Sequence, residues 1–189
     1  EFGQNVMMNG GALRWLIILS PLAIVMTMSF GQNKFSTGSL QAMFWAFATL
    51  MGLSMSTIFL LYTGASIAQT FFATAAAFAG LSLWGYTTKK DLSGIGTFLV
   101  MGLVGLIVAS LANIWFQSGT LSWVISSVGV LIFAGLTAYD TQMIKSTYLQ
   151  LQSSGSDFIG KAAIMGALSL YLDFINMFQF LLSFMGSRD

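Results

Sequence analysis

The chain has 189 residues, of which 56% are hydrophobic and 7% charged, and its formal net charge is +1. A water-soluble domain carries about 25% charged residues, so this sequence cannot clothe a soluble surface, and its charge leaves no electrostatic footprint for nucleic acid. Cysteine and histidine are both absent, which excludes disulfides, thiolate nucleophiles, haem ligation by histidine and ordinary zinc sites, and leaves carboxylates as the groups for any proton switch.

The first residues, 1–5, carry neither an initiator methionine nor the basic stretch and cleavage site of a signal peptide. Six apolar segments follow, each long enough to cross a hydrocarbon core about 30 Å thick. In chain order they cover residues 12–30, 40–63, 65–86, 95–116, 121–144 and 162–185. The first holds the only proline, Pro21, and the third follows a tight turn around Gly64. No soluble domain fits between segments, and the longest connection, residues 146–160, is polar and serine-rich and reads as a mobile loop. The expected fold is all-α: a polytopic membrane helical bundle forming a single transmembrane domain over residues 1–189.

Charge marks the two faces of this bundle. Lys34, Lys89, Lys90, Lys145 and Lys161 fall in or beside the loops after segments one, three and five, whereas the opposite side has only Arg14 and Arg188 near the chain ends. The positive-inside rule makes the lysine side cytoplasmic. Residue 1 then starts outside, and a further helix upstream would reconcile that with the missing signal. Small residues at four-residue spacing, Gly105 with Ala109, Gly52 with Ser56 and Ala162 with Gly166, predict close helix contacts of the kind found in lipid.

Two acids interrupt the apolar runs: Asp140 in segment five and Asp173 in segment six. Placing an ionised carboxylate at the bilayer centre costs roughly 2.5–3.5 kcal/mol even on the mildest scale. Such a group is kept where it is paired, protonated or turned to a polar cavity. Gly166, Ser169, Asp173 and Asn176 form one helical stripe, and Ser126, Gly129, Phe133, Thr137 and Asp140 form another. Each acid therefore lies on a small or polar face. If the two meet, they cannot easily both ionise, so they share a proton and titrate as a unit. Gain of a second proton or loss of the first would break that bridge. Asn113 and Asn176 read as helix-to-helix hydrogen-bonding groups, and Tyr139 and Tyr171 as packing aromatics.

Four stretches together carry a resemblance. They are Tyr62-Thr63-Gly64-Ala65-Ser66-Ile67, residues 81–93 from Leu81-Ser82-Leu83-Trp84 to Leu92-Ser93, Gly135-Leu136-Thr137-Ala138-Tyr139-Asp140-Thr141-Gln142, and Ala167-Leu168-Ser169-Leu170-Tyr171-Leu172-Asp173-Phe174-Ile175-Asn176. Over nearly the whole chain from Leu13 the sequence resembles the Bax inhibitor-1 family of apoptosis-regulator-like proteins, its bacterial members most closely. The resemblance implies a seven-helix bundle with the last helix near its centre, of which six spans are visible here. It implies an integral protein of the bacterial inner membrane that leaks calcium in a pH-dependent way, gated by an aspartate pair matching Asp140 and Asp173. In some members a basic residue latches onto that pair; Lys34 is the nearest candidate, although the latch there is an arginine and lysine lacks its bidentate fork.

The function expected first is therefore a pH-dependent calcium leak channel, not an enzyme. Calcium takes oxygen ligands; Asp140 and Asp173 would touch it in passing, and Ser169, Asn176, Thr137 and Asn113 would continue a polar pathway. No cofactor is expected, calcium being the permeant ion, and no firmly held metal. The expected partners are the lipid bilayer, calcium and another membrane protein. An intramembrane aspartyl protease is the first alternative, since two aspartates sharing a proton suit that chemistry and Tyr139-Asp140 matches half of a presenilin-type signature. Leu170-Tyr171-Leu172-Asp173 lacks the glycine-x-glycine-aspartate half, and the proline-alanine-leucine motif is missing. The other alternative is a regulatory binding partner of a membrane protease or cell-death component. A proton-coupled transporter has no internal repeat or pair of broken helices to support it.

Overall fold

A computed structural model of the chain describes residues 11–187. Residues 1–5, Arg188 and the side chain of Arg14, on which the sequence reading of the chain start and of the lysine-poor face drew, lie outside the described residues. Six helices follow one another: α1 (Ala12–Gly31), α2 (Thr37–Leu61), α3 (Gly64–Thr87), α4 (Ser93–Phe116), α5 (Gly119–Leu151) and α6 (Ser156–Met185). Helices α2 to α6 are each long and apolar enough to span a membrane, while α1 is a shorter apolar helix over Trp15–Gly31. This is an all-α polytopic membrane protein. Phe98, Met101 and Trp115 are 71%, 70% and 85% exposed, which only a lipid environment tolerates in such number.

Local chemistry sets the helix ends. Ser36 caps α2 by accepting a hydrogen bond from the Ser39 amide at 3.2 Å. Near its far end α2 tightens into a 3₁₀ turn at Met55–Thr57, where the Ser56 hydroxyl donates to the Leu53 carbonyl at 2.7 Å. Before α4, the Asp91 carboxylate accepts from both the amide and the hydroxyl of Ser93, and these two donors hold its carboxyl below the usual range. Helix α4 stops at Gln117, whose left-handed φ of 47° reverses the chain into α5.

The serine-rich connection is shorter than its composition suggests. Helix α5 continues to Leu151 and α6 starts at Ser156, so only residues 152–155 remain as a turn. Lysine, glutamine and leucine are good helix formers, and they carry α5 beyond the apolar run. Asp157 is therefore not a loop residue. It sits in the first turn of α6, accepts a hydrogen bond from the Thr37 hydroxyl and pairs with Lys161 at 3.1 Å.

The chain forms two compact units. One contains α1, α2 and residues 148–168; the other contains residues 64–147 and 169–187. In the first, α1 and α2 pack as an antiparallel pair joined by a short turn, closed by the Lys34 amide bonding the Gly31 carbonyl at 2.8 Å. Met28, Leu40 and Phe47 are fully buried.

The second unit is built around α5. Gly85 of α3 lies directly against the backbone of Ala138, and Gly96 of α4 against the ring of Tyr139. Leu99 of α4 fills the space over Gly135, and Phe180 of α6 lies over Gly129. Leu106, Ile125, Ile132, Phe133, Leu136 and Met177 form the buried apolar cluster. The half of α6 in this unit also packs on α3 through Phe71–Phe174 and Phe78–Phe174 edge contacts at 5.6 and 5.4 Å. The close approaches fall at Gly85, Gly96, Gly129 and Gly135 rather than at Gly105 or Gly52, beside which a methyl would meet nothing within 4 Å. Four-residue spacing marks one face of a helix, but it does not say whether that face meets protein or lipid.

One consequence is directly measurable. With no native cysteine, Lys89→Cys and Ser118→Cys give background-free labelling positions at opposite ends of α4. We expect an impermeant thiol reagent to reach the two from opposite sides of a sealed vesicle; labelling of both from one side would overturn the arrangement of the spans.

Candidate functional site

Three consecutive residues of α5 face three different neighbours, because each step along a helix turns the side chain by about 100°. Ala138 meets α3 at Gly85, Tyr139 meets α4 at Gly96, and Asp140 meets α6 at Asp173. The first two contacts leave no room for α5 to rotate, so they aim the third. On α6, Asp173 is only 4% exposed.

The carboxyls of Asp140 and Asp173 face one another across α5 and α6, close enough to interact directly. Ionised carboxylates are acceptors only, so a hydrogen bond between two of them requires a proton held in common. Asp173 Oδ2 is buried, and no N–H or hydroxyl donor among the described residues satisfies it. That oxygen therefore has no ordinary side-chain donor to stabilise a charge on it.

The pair lies at one end of a cavity of about 520 Å³ formed by α4, α5 and α6. Ser169, Asn176 and Ser110 add polar groups to its lining, and among the described residues no lysine or arginine contributes to it. The Ser110 hydroxyl is already committed to the Leu106 carbonyl at 2.8 Å, and the Asn176 amide to the Leu172 carbonyl at 2.7 Å. What the cavity presents is mainly acceptor oxygen at one end and hydrocarbon elsewhere.

The sequence that builds this site matches a known family. The profile described as inhibitor of apoptosis-promoting Bax1 matches residues 2–189. The chain belongs to the Bax inhibitor-1 family. Over 172 residues it is 46% identical to the inner membrane protein YbhL of Escherichia coli strain K12, an alignment covering 91% of this chain and 74% of that protein. It is 48% identical over 176 residues to a protein of Caulobacter vibrioides, covering 93% and 70%. It is 40% identical over 186 residues to a protein of Deinococcus radiodurans, covering 98% and 80%. The Bax inhibitor-1 resemblance read from the Asp140 and Asp173 stretches is thus carried by the whole chain.

Of the polar residues singled out in the sequence, Ser169 and Asn176 line the cavity with the two acids, whereas Thr137 and Asn113 do not. Thr137 is fully buried and its hydroxyl donates to the Phe133 carbonyl at 2.7 Å, satisfying itself within its own helix. Asn113 organises the α4–α5 turn: its Oδ1 accepts from the Ser118 amide at 3.1 Å and its Nδ2 donates to the Ser122 hydroxyl at 2.7 Å. Lys34, the latch candidate, lies in the first compact unit.

In the sequence Lys145 served only to mark the cytoplasmic face and Gln142 only as part of a family stretch, and the contacts of both lie close to the acid pair. Gln142 grips the α3–α4 connection, its Oε1 accepting from the Leu92 amide at 2.9 Å and its Nε2 donating to the Lys90 carbonyl at 2.8 Å. Lys145 donates to the Tyr86 carbonyl at 2.8 Å and lies 4.5 Å from the centre of the Tyr86 ring. Both sit within one to two turns of Asp140 and tie its helix to the ends of α3 and α4. The available signal was a polar continuation of an apolar helix, which a mobile loop would not have needed.

Proposed function

We propose that this protein is a pH-dependent cation leak pathway, with calcium as the permeant ion and the Asp140–Asp173 pair as its gate. The observation that carries the reading is the juxtaposition of the Asp140 and Asp173 carboxyls in the lining of one cavity. Intramembrane acids mark ion and proton pathways, and calcium is taken by carboxylate, amide and hydroxyl oxygens of the kind that Asp140, Asp173, Asn176 and Ser169 offer. Family membership supports the same reading.

The shared proton ties α5 to α6. A hydrogen bond to an ionised carboxylate is roughly twice as strong as one between neutral groups. Acid adds the second proton, removes that charge assistance and lets the helices part, so acid raises the leak. The lysine-bearing loops face the cytoplasm in this scheme. Calcium-dye flux across pH in proteoliposomes, comparing the parent with Asp140→Asn and Asp173→Asn, tests the gate. Two adjacent aspartates also suit aspartyl protease chemistry, and peptide cleavage assayed in the same vesicles separates the two activities. Cleavage lost in both aspartate variants would favour the protease.

A further inference from the structure

Calcium would use only one end of the cavity. The remainder is a hydrocarbon slot. Leu106 and Phe133 are buried in its wall, while Val100, Ile107 and Leu111 of α4 are 49%, 53% and 54% exposed and also line it. Half-exposed aliphatic side chains on a membrane-spanning helix face acyl chains, so the slot opens to the bilayer interior rather than to water. From Val100 to Leu111 the helix rises about 16 Å, comparable to an extended dodecyl chain. The volume, about 520 Å³, lies within the roughly 300–1,000 Å³ of small-molecule sites.

The polar end restricts what head group such a chain carries. Asp173 Oδ2 is buried and without a donor among the described residues, and the Ser110 hydroxyl and one N–H of Asn176 are spent on their own helices, which leaves the Ser169 hydroxyl and the second Asn176 N–H as the neutral donors of the lining. Two carboxyls sharing one proton carry one negative charge, and among the described residues no basic side chain lines the cavity to balance it. A carboxylate or phosphate head would meet like charge with no cation beside it. A hydroxyl head would bring one donor and leave the charge unmatched. A primary ammonium brings one positive charge together with N–H donors that can reach both carboxyls.

We propose that this cavity binds a long-chain primary ammonium amphiphile, which enters sideways from the bilayer with its head on Asp140 and Asp173 and its chain along Val100, Ile107 and Leu111. The proposal rests on the geometry of the acid pair and the slot, not on the leak reading, and its readout is binding rather than flux.

The test uses the full chain in phosphatidylcholine nanodiscs at neutral pH, with saturable thermal stabilisation and native mass spectrometry as readouts. Three probes share the dodecyl chain: dodecylamine, dodecyltrimethylammonium, which has the charge but no N–H, and dodecanoate. We expect dodecylamine alone to stabilise the parent saturably and to give a one-to-one adduct. The double variant Asp140→Asn with Asp173→Asn removes the negative charge, which either single variant would leave on the remaining carboxylate, and Ile107→Trp fills the slot from its open rim. Each weakens dodecylamine binding by about tenfold or more, as expected for losing a charge-assisted bond or the space for the chain. Met101→Trp, on a lipid-facing position outside the lining, leaves binding at the parent's level. Equal stabilisation by all three amphiphiles would overturn the proposal. So would parent-like binding in Ile107→Trp, which decides the matter alone if the double aspartate variant does not fold. Intact amine binding with a pH-independent leak would sink the leak reading and leave this one standing.

Discussion

Asp140→Asn and Asp173→Asn are each expected to flatten the pH dependence of calcium flux. If opening is coupled to uptake of one proton, its equilibrium shifts by up to tenfold per pH unit, equivalent to about 1.4 kcal/mol. An asparagine amide opposite the remaining carboxylate supplies a permanent N–H donor in place of the titrating proton. The bridge then persists through the range in which the parent opens, and most of the tenfold slope disappears. Asp91→Asn is the matched control. Asp91 is an exposed acid whose contacts are to Ser93 in the turn before α4, and asparagine Oδ1 can still accept there. Its profile should follow the parent's. Asp157 is a poorer control, because it bonds Thr37 and pairs with Lys161. Parent-like profiles in both membrane-aspartate variants, at matched incorporation, would remove the two-carboxyl gate.

Much of this site was legible because the membrane makes polarity expensive. In a chain with 7% charged residues, Asp140 and Asp173 stand out without any structure, and their polar stripes turned both inward. Ser169 and Asn176 followed from the same stripe on α6. The stripe on α5 misled at Thr137, because a threonine in a helix can satisfy its hydroxyl on the carbonyl four residues back and then makes no demand on a cavity. Asn113 does join two helices, α4 to α5 through Ser122, and it is its place in a polar pathway that the cavity lining does not include. Its position near a helix end made it a capping group, and the left-handed Gln117 that requires the cap is invisible to hydropathy. The length of α5 was also hidden, since its last turns are polar and are held by Gln142 and Lys145 reaching to backbone carbonyls of the α3–α4 region. Periodicity registers apolar faces, and these turns are fixed by hydrogen bonds instead.

Gly85→Ala is expected to destabilise the protein more than any other single added methyl at the glycines of α3. A Cβ at Gly85 would collide with the carbonyl oxygen of Ala138 and lie 2.9 Å from the Ala138 Cα. These are backbone atoms of a buried helix, so no rotamer change relieves the clash, and α3 and α5 must move apart. Overpacking of this kind costs about 1–3 kcal/mol, and for a chain of this size each kcal/mol lowers the melting temperature by roughly 2–4 °C. Gly80→Ala supplies the contrast on the same helix, because a methyl there meets nothing within 4 Å and alanine is the better helix former. Thermal unfolding in one detergent should therefore show a fall of several degrees for Gly85→Ala and none for Gly80→Ala. Gly129→Ala should lie between them, since its Cβ would meet the ring of Phe180, a side chain able to give. Because Ala138 lies two residues before Asp140, the same separation should displace the carboxyl and change the pH dependence of flux in Gly85→Ala alone of the three. Equal stability of Gly85→Ala and Gly80→Ala would mean that α3 is not seated on α5 at this point, and that the aim of Asp140 toward α6 is set by other contacts.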